Sequence, residues 1–405
     1  MATSLQYSGR PRIGIADVLL KDIARRIQLS PTNYRIAVQR YETIDAWLNR
    51  EGGLLAPHME RLYPQGSMAI GATISSRLKN DEFDIDVIAE LNLSPTIQPA
   101  TVLDALFETM NGEKGTRYHG KVKRRTRCVT VEYEDMHLDI TPAVLLPHRQ
   151  DRTSVIFHAH ENEPPEKHRR ITANPWGFAD WFENRTPAIH EIVEAVLRKT
   201  AEPVPDQDEV IEKSHPLVAL QLLKRWRNKC YDDREGRSPP SVVLAFIVAM
   251  NPTGQADLYG EFRAQADRLH QIFAEADDRG VLVSVTNPAC TPDDVFTDRW
   301  PGNLATQRVF LRDLEALQAK LDKIEADPTV ETCAEVMSDL FGENPTRVVV
   351  EDFQKRFAAK AHAGGLYGLG GGSAGLALGS SGLAAKPLNE RAYPIPRHTD
   401  FGCDG

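Results

Sequence analysis

The sequence predicts an α+β protein of two lobes, a mixed β-sheet with flanking helices followed by a mainly helical lobe. Three observations predict it. Phe83-Asp84-Ile85-Asp86-Val87 and His137-Leu138-Asp139-Ile140 alternate polar and apolar residues with the period of two of a strand. From about residue 174 onward the apolar residues recur at spacings of three and four, the period of a helix. The 405 residues, 41% of them hydrophobic, are enough for two packed cores.

The totals exclude several classes. A net charge of −9 argues against a broad nucleic-acid surface. No apolar run approaches the ~20 residues of a membrane span, and the N-terminus lacks a signal-peptide core. The five cysteines (128, 230, 290, 333 and 403) are scattered with no CxxC pair, which fits a reducing cytoplasm rather than a zinc or disulfide framework.

Residues 15–28 read as a helix with Val18, Leu19, Ile23 and Ile27 on one side. Ser30-Pro31 starts a second, whose stripe of Tyr34, Val38, Tyr41, Ile44 and Leu48 runs until Gly52-Gly53. A helix is expected over 68–76, a strand over 84–91 and a helix over 101–110. Strands at 129–134 and around Asp139 should form a hairpin that Pro142 stops. Trp176, Phe178, Trp181 and Phe182 look like core anchors, and Ile189, Ile192, Val193, Val196 and Leu197 form a helical stripe. The Pro- and Asp-rich stretch 200–209 reads as an inter-lobe loop.

The second lobe opens with a helix over 215–231, with Leu217, Leu220 and Leu223 inward. Pro239-Pro240-Ser241 then precedes a helix over 242–250 that is apolar all round and so expected at the lobe's centre. Further helices are expected over 260–277 and 305–326, the latter with Leu314, Leu317, Leu321 and Ile324 as its stripe. A last one over 331–341 is closed by Gly342. After about 362 the chain turns Gly-, Ala- and Ser-rich, a composition that cannot bury enough surface to order itself. The expected division is therefore 1–200, 201–362 and a flexible tail over 363–405.

The chemistry concentrates in the alternating acids. Asp84 and Asp86 share one strand face, and Asp139 lies on another strand. Three rigidly held carboxylates suit a pair of Mg²⁺ ions, with Mn²⁺ an alternative, and leave room for a triphosphate. Glu82 continues the alternation, so a metal pair displaced by one step (Glu82 with Asp84) stays open; apolar neighbours on both sides favour Asp84 and Asp86. Gln65-Gly66-Ser67 adds a turn with close backbone approach and a hydroxyl for phosphates. Lys121, Lys123, Arg124, Arg125 and Arg127 read either as a basic rim that attracts phosphates or as a solvated strand end. His158, His160 and His168 lack ligand spacing and read as solvated loop residues.

The order Gly-Ser, hDhDh, hDh resembles the nucleotidyltransferase superfamily of DNA polymerase β. Within it the sequence is similar to the CD-NTases, the cGAS/DncV-like enzymes of bacterial anti-phage (CBASS) systems. YPQGSMAIGATI at 63–74, DEFDIDVI at 81–88, CVTVEYEDMHLDITPAV at 128–144, NPWGFADWF at 174–182, LLKRWRN at 222–228, PPSVVLAF at 239–246 and NP with a later DRW at 287–300 carry the resemblance. It spans about residues 15–325. The segment between Ser67 and Asp84 is longer than is usual in that family.

The resemblance implies a polymerase-β-like lobe and a helical lobe caging a central cleft, with the 31–48 helix as a spine between them. It implies Asp84, Asp86 and Asp139 as catalytic metal ligands, Gln65, Gly66 and Ser67 at the nucleotide, Lys224 on the triphosphate and Ser241 on a phosphate. Ser241 reads equally as a helix cap. The implied reaction joins nucleoside triphosphates, ATP and GTP, into a cyclic oligonucleotide that activates an effector protein. By the same resemblance Gly405 is a candidate for conjugation by a ubiquitin-transfer-like ligase. A nucleotidyltransferase acting on RNA or protein, and a nucleotide-binding scaffold without catalysis, are the alternatives.

Overall fold

The computed structural model describes residues 14–75, 83–134, 136–147, 149, 152–186, 213–253, 255, 257–362, 375–379 and 382–386. Two helices lead the chain, α1 (Gly14–Ile27) and α2 (Pro31–Leu48). Next come β1 (Met59–Gln65), the single turn α3 (Gly66–Ala69), β2 (Phe83–Leu91), α4 (Pro99–Asn111), β3 (Val122–Arg124), β4 (Val129–Glu132), β5 (Met136–Leu145), β6 (Ser154–His158), β7 (Arg169–Ala173) and α5 (Pro175–Arg185). The remainder is helical: α6 (His215–Tyr231), α7 (Ser241–Met250), α8 (Leu258–Asp278), α9 (Leu304–Ala326), α10 (Val330–Phe341) and α11 (Glu343–His362).

The α+β class and the two-lobe plan hold. The strands run in the order β1-β2-β5-β4-β3, with β6 pairing β5 further along and β7 pairing β6. β2 and β5 are parallel and the other pairs antiparallel, so the sheet is mixed. One core lies under the sheet, where Ile85, Val87, Leu138 and Ile140 meet Tyr41, Ile44 and Leu48 of α2. A second joins α6 to α10, with Leu314, Leu317, Leu321 and Ile324 fully buried. No helix among the described residues is long and apolar enough to cross a membrane.

Local chemistry explains most boundaries. The Ser30 hydroxyl caps α2 by accepting from Asn33 N, and Pro31 sits where no N–H is needed. Gly342, at φ 104°, ends α10 in a conformation that side chains avoid.

Several expectations need correction. The helix over 68–76 is the single turn α3, after which Gln28 and Ile74 form an isolated bridge. Pro142 does not stop its strand and stands opposite Ala89 in the β2 ladder. On its other side the β4 ladder ends at Ile140 and the β6 ladder begins at Ala143, so a missing N–H costs little there. Gly342 does not end the helical region, because α11 starts directly behind it. α1 buries Leu19, Leu20, Ile23 and Ile27 in the helical lobe, although its sequence position groups it with the first lobe. α2, for which the resemblance implies a spine and the stripe alone a core helix, packs its stripe into the sheet-lobe core. Gly375–Gly379 and Gly382–Lys386 pair as antiparallel strands inside the stretch read as flexible. The 189–197 stripe, the 200–209 loop, Glu82 and Gly405 lie outside the described residues.

Candidate active site

Strand register gathers the acids. Asp86 stands opposite Asp139 and Asp84 opposite His137 in the parallel β2–β5 pair. β1 sets Gln65 opposite Asp86, and β4 sets Thr130 opposite Asp139. Opposite residues point to the same face. Gln65, Asp86, Asp139 and Thr130 therefore form one row across four strands, with Asp84 two residues along. Thr130 Oγ1 donates to Asp139 Oδ1 at 2.5 Å and fixes that carboxylate. Gln65 Nε2 donates to Thr141 Oγ1 at 3.2 Å.

The Gly-Ser turn is built against the same carboxylates. Gly66 has φ 58°, and a Cβ there would lie 2.8 Å from Asp86 Oδ2. Only glycine lets this backbone lie directly on the acid. Gly66→Ala should thus lose about 1–2 kcal/mol of stability through its left-handed backbone and, by displacing Asp86, lose activity more than stability. Parallel thermal-unfolding and turnover measurements check this.

The opposing wall comes from α6. Its Lys224, Arg225 and Arg227 are all buried. The segment 71–75 crosses α6 and binds it. Gln221 Nε2 donates to the carbonyls of Gly71 and Thr73, at 3.3 and 3.2 Å, and Lys224 Nζ donates to that of Ala72 at 2.7 Å. Arg225 Nε donates to the Phe341 carbonyl at 3.0 Å, a structural role. Arg227 donates to the Pro239 carbonyl and, at 2.9 Å, to Ser241 Oγ. Ser241 is the first residue of α7 and Pro240 occupies the cap position, so the hydroxyl serves the cleft and Arg227 rather than the helix end.

A cavity of about 540 Å³ separates the two walls, a size suited to a nucleotide. Gln65, Gly66, Ser67, Asp84 and Asp86 line one side, and Lys224, Arg227 and Ser241 the other. Asp139 lies one strand beyond this lining. Phe178, Val242 and Ala245 add an apolar wall, so α7 presents part of its apolar surface to the cleft. Burial, reinforced by the nearby Asp139 and Asp84, raises the Asp86 carboxyl to about 7 despite the pull of Lys224. Asp86 keeps some accessible surface at the cavity floor, but the walls around it desolvate it. Burial also lowers Lys224 to about 7, helped by Arg227 and opposed by Asp86 and Asp84. Arg227 falls to about 10 by burial.

Other expected features disperse. Lys123 and Arg125 pair with Glu132, Arg124 with Asp104 and Arg127 with Asp298, so four of the five basic residues at 121–127 form ion pairs. Among the described residues no three His, Cys, Asp or Glu side chains already converge as ligands, and His158, read as a solvated loop residue, instead ends β6 and accepts from Arg127 Nε at 3.1 Å. Thr130 and Arg227 escaped the sequence reading. Thr130 carries no motif signal, whereas Arg227 lies one helical turn from Lys224 and shares its face.

Comparison with known proteins matches this architecture. Residues 16–183 match the Second Messenger Oligonucleotide or Dinucleotide Synthetase domain family. The cyclic dinucleotide synthase CdnG of Bradyrhizobium diazoefficiens is 33% identical over 377 residues, 89% of either chain. The chain belongs to the CD-NTase family. Other members agree. The c-di-GMP synthase of Roseivirga ehrenbergii is 25% identical over 337 residues, 82% of this chain and 85% of its own. The solved CD-NTase CdnG of Bradyrhizobium diazoefficiens, in complex with GTP, superposes with a TM-score of 0.70 over 84% of this chain and 98% of its own. CdnC of Escherichia coli, solved with ATP, shares the CD-NTase fold at 15% identity, with a TM-score of 0.55 over 80% of this chain and 97% of its own.

Proposed function

We propose that this nucleotidyltransferase is a cyclic dinucleotide synthase that joins two nucleoside triphosphates, GTP among them, and closes the product into a ring. The observation that carries the reading is Asp84 and Asp86 facing Lys224 and Arg227 across one cleft, with Asp139 beside Asp86 in the β2–β5 pair. The CdnG and c-di-GMP synthase relatives support cyclic dinucleotide chemistry, and the GTP complex of CdnG supports the guanine substrate. Cytoplasmic action and anti-phage signalling through an effector belong to the same proposal and rest on the family resemblance, as does conjugation of Gly405.

The residues fit a divalent cation. Asp84, Asp86 and Asp139 offer hard oxygen donors, and their mutual repulsion at Asp86 is what a bound cation would relieve. Mg²⁺ or Mn²⁺ held by these three acids would neutralise phosphate charge and acidify a sugar hydroxyl. The protein's own groups supply the rest. The Gly66 turn brings backbone against the phosphates. Lys224 regains its full charge when an anionic triphosphate arrives, because an opposite charge favours the protonated amine. Asp139, oriented by Thr130, accepts the proton of the attacking hydroxyl. The freed oxygen bonds to the α-phosphorus, the bond to pyrophosphate breaks, and pyrophosphate leaves with that electron pair. A second transfer, with the two nucleotides' roles exchanged, closes the ring.

Incubation with Mg²⁺ and α-labelled GTP, alone and with ATP, followed by phosphatase, tests this. A small labelled species that resists phosphatase is expected. Label found only on protein or on RNA would replace this reading with one of the rival transferases.

The raised Asp86 pKa also sets a pH dependence. Between about pH 4 and about pH 7 the folded protein holds a proton that the unfolded chain has released. The stability this group contributes is complete below about pH 4 and is lost as pH rises through about 7. A cation must displace the same proton, so Mn²⁺ affinity should fall as pH drops from about 8 to about 6, with proton release visible by calorimetry in two buffers of different ionisation enthalpy.

A further inference from the structure

Two buried glutamines meet against the segment 71–75. Gln28 directly follows α1, and Gln221 lies on α6, one helical turn before Lys224. Gln28 Nε2 donates to Gln221 Oε1 at 3.0 Å. Gln221 Nε2 directs its own N–H groups at the carbonyls of Gly71 and Thr73, at 3.3 and 3.2 Å. Gln221 is fully buried, and these bonds fix which way its amide faces, because the reverse orientation would set its oxygen against two carbonyl oxygens.

The residue between those two carbonyls is Ala72. Its N–H donates to the Ser67 carbonyl at 2.8 Å, and its own carbonyl accepts from Lys224 Nζ at 2.7 Å. One residue thus joins the Gly-Ser turn to the buried lysine. The Gly71 carbonyl and the Ala72 N–H belong to a single planar peptide. The bond by which Gln221 holds that carbonyl therefore also aims the N–H at Ser67. Other groups secure the ends of the segment. Lys213 Nζ shares the Gly71 carbonyl at 3.2 Å, the Ser75 N–H donates to the Ile27 carbonyl at 2.9 Å, and Arg225 Nη1 donates to the Ser75 carbonyl at 3.4 Å. Gln221 is the side chain that grips both sides of Ala72 and reaches the end of α1 through Gln28.

We propose that Gln221 is a positioning residue for nucleotidyl transfer. By holding the Gly71 and Thr73 carbonyls it sets Ala72, and through Ala72 the distance between the Ser67 turn and Lys224. The inference rests on the reading of the main cleft as a nucleotidyl-transfer site and deepens it. A triphosphate seated on the turn must also meet the lysine, and a misplacement of about 1 Å costs on the order of 10²-fold in rate. A neutral amide suits the place. It donates twice without setting another positive charge beside Lys224.

Gln221→Met keeps the length of the side chain and removes its hydrogen bonds to Gln28, Gly71 and Thr73. The full-length protein is assayed with Mg²⁺ and α-labelled GTP at a temperature where circular dichroism shows every variant folded. In the wild-type background Gln221→Met should lower kcat/KM by at least about tenfold. In a Lys224→Met background the same substitution should cost less than about threefold, because the contact it positions is already gone. A merely structural glutamine would move the unfolding midpoint and leave the folded enzyme's kcat/KM alone, or lower it equally in both backgrounds. A smaller loss in the first background, or a larger one in the second, would therefore overturn the proposal. If Gln221→Met does not fold, Gln28→Met takes its place, since it releases the Gln221 amide from α1. A loss of at least about threefold that vanishes in the Lys224→Met background then supports the proposal, and any other result overturns it. A folded wild type that makes no labelled product would overturn the reading of the main cleft and this proposal with it.

Discussion

Asp86→Asn should lose turnover by about 10³-fold or more while unfolding at the same temperature as the wild type or higher. The two halves of this expectation come from one fact. Asp86 is enclosed and sits beside Asp139 and Asp84, and its carboxyl is raised to about 7. In the cation-free protein at pH 8 its charge is therefore unfavourable. Asn keeps the shape and removes the repulsion. A residue that existed for packing would show the reverse, a lower unfolding midpoint and turnover reduced only as far as the folded fraction. The same substitution should also abolish the fall in cation-free stability between about pH 4 and about pH 7. Thermal unfolding with and without Mg²⁺ at both ends of that range, together with turnover at saturating GTP, checks all three.

Lys224→Met should reduce kcat/KM for the triphosphate by about 10–100-fold, the loss of one or two charge-assisted contacts, and leave the fold intact. Lys224 is buried and its amine is lowered to about 7. Among the described residues it donates to the Ala72 carbonyl at 2.7 Å, a neutral acceptor. A cation held in such a place is unfavourable until an anion arrives. Met fills similar volume without charge. The expected signature is weaker binding of α,β-methylene-GTP in calorimetry with an unfolding midpoint at or above that of the wild type. Unchanged nucleotide affinity would remove Lys224 from the site and leave it a structural tie to the segment 71–75.

The sequence made the sheet lobe's chemistry legible because alternation survives folding. A period of two places Asp84 with Asp86, and His137 with Asp139, whatever surrounds them. Register is not local. That Asp86 faces Asp139 in a parallel pair depends on the long return through α4, β3 and β4, which no short pattern encodes. Thr130 gains its role only through that register. The second lobe hid its contribution for a different reason. Lys224, Arg225 and Arg227 lie close together on a helix, a pattern that usually means a solvated face, yet the segment 71–75 binds Lys224 and Arg225, and Pro239 and Ser241 hold Arg227. Gly342 marked a real helix end but not the end of the helices, because Glu343-Asn344-Pro345 begins another at once. The destination of α1 was equally hidden. Its apolar stripe announces burial but not which core receives it.

The central claim is that the two lobes act on one nucleotide, with carboxylates on one side of its phosphates and cations on the other. A crystal of the protein grown with α,β-methylene-GTP and Mn²⁺, recorded at the manganese absorption edge, tests it most directly. The account predicts an anomalous peak at Asp84 and Asp86, phosphates over Gly66 and Ser67, and Lys224 Nζ within hydrogen-bonding distance of a phosphate oxygen. Manganese bound elsewhere, or a triphosphate that avoids Lys224 and Arg227, would contradict it.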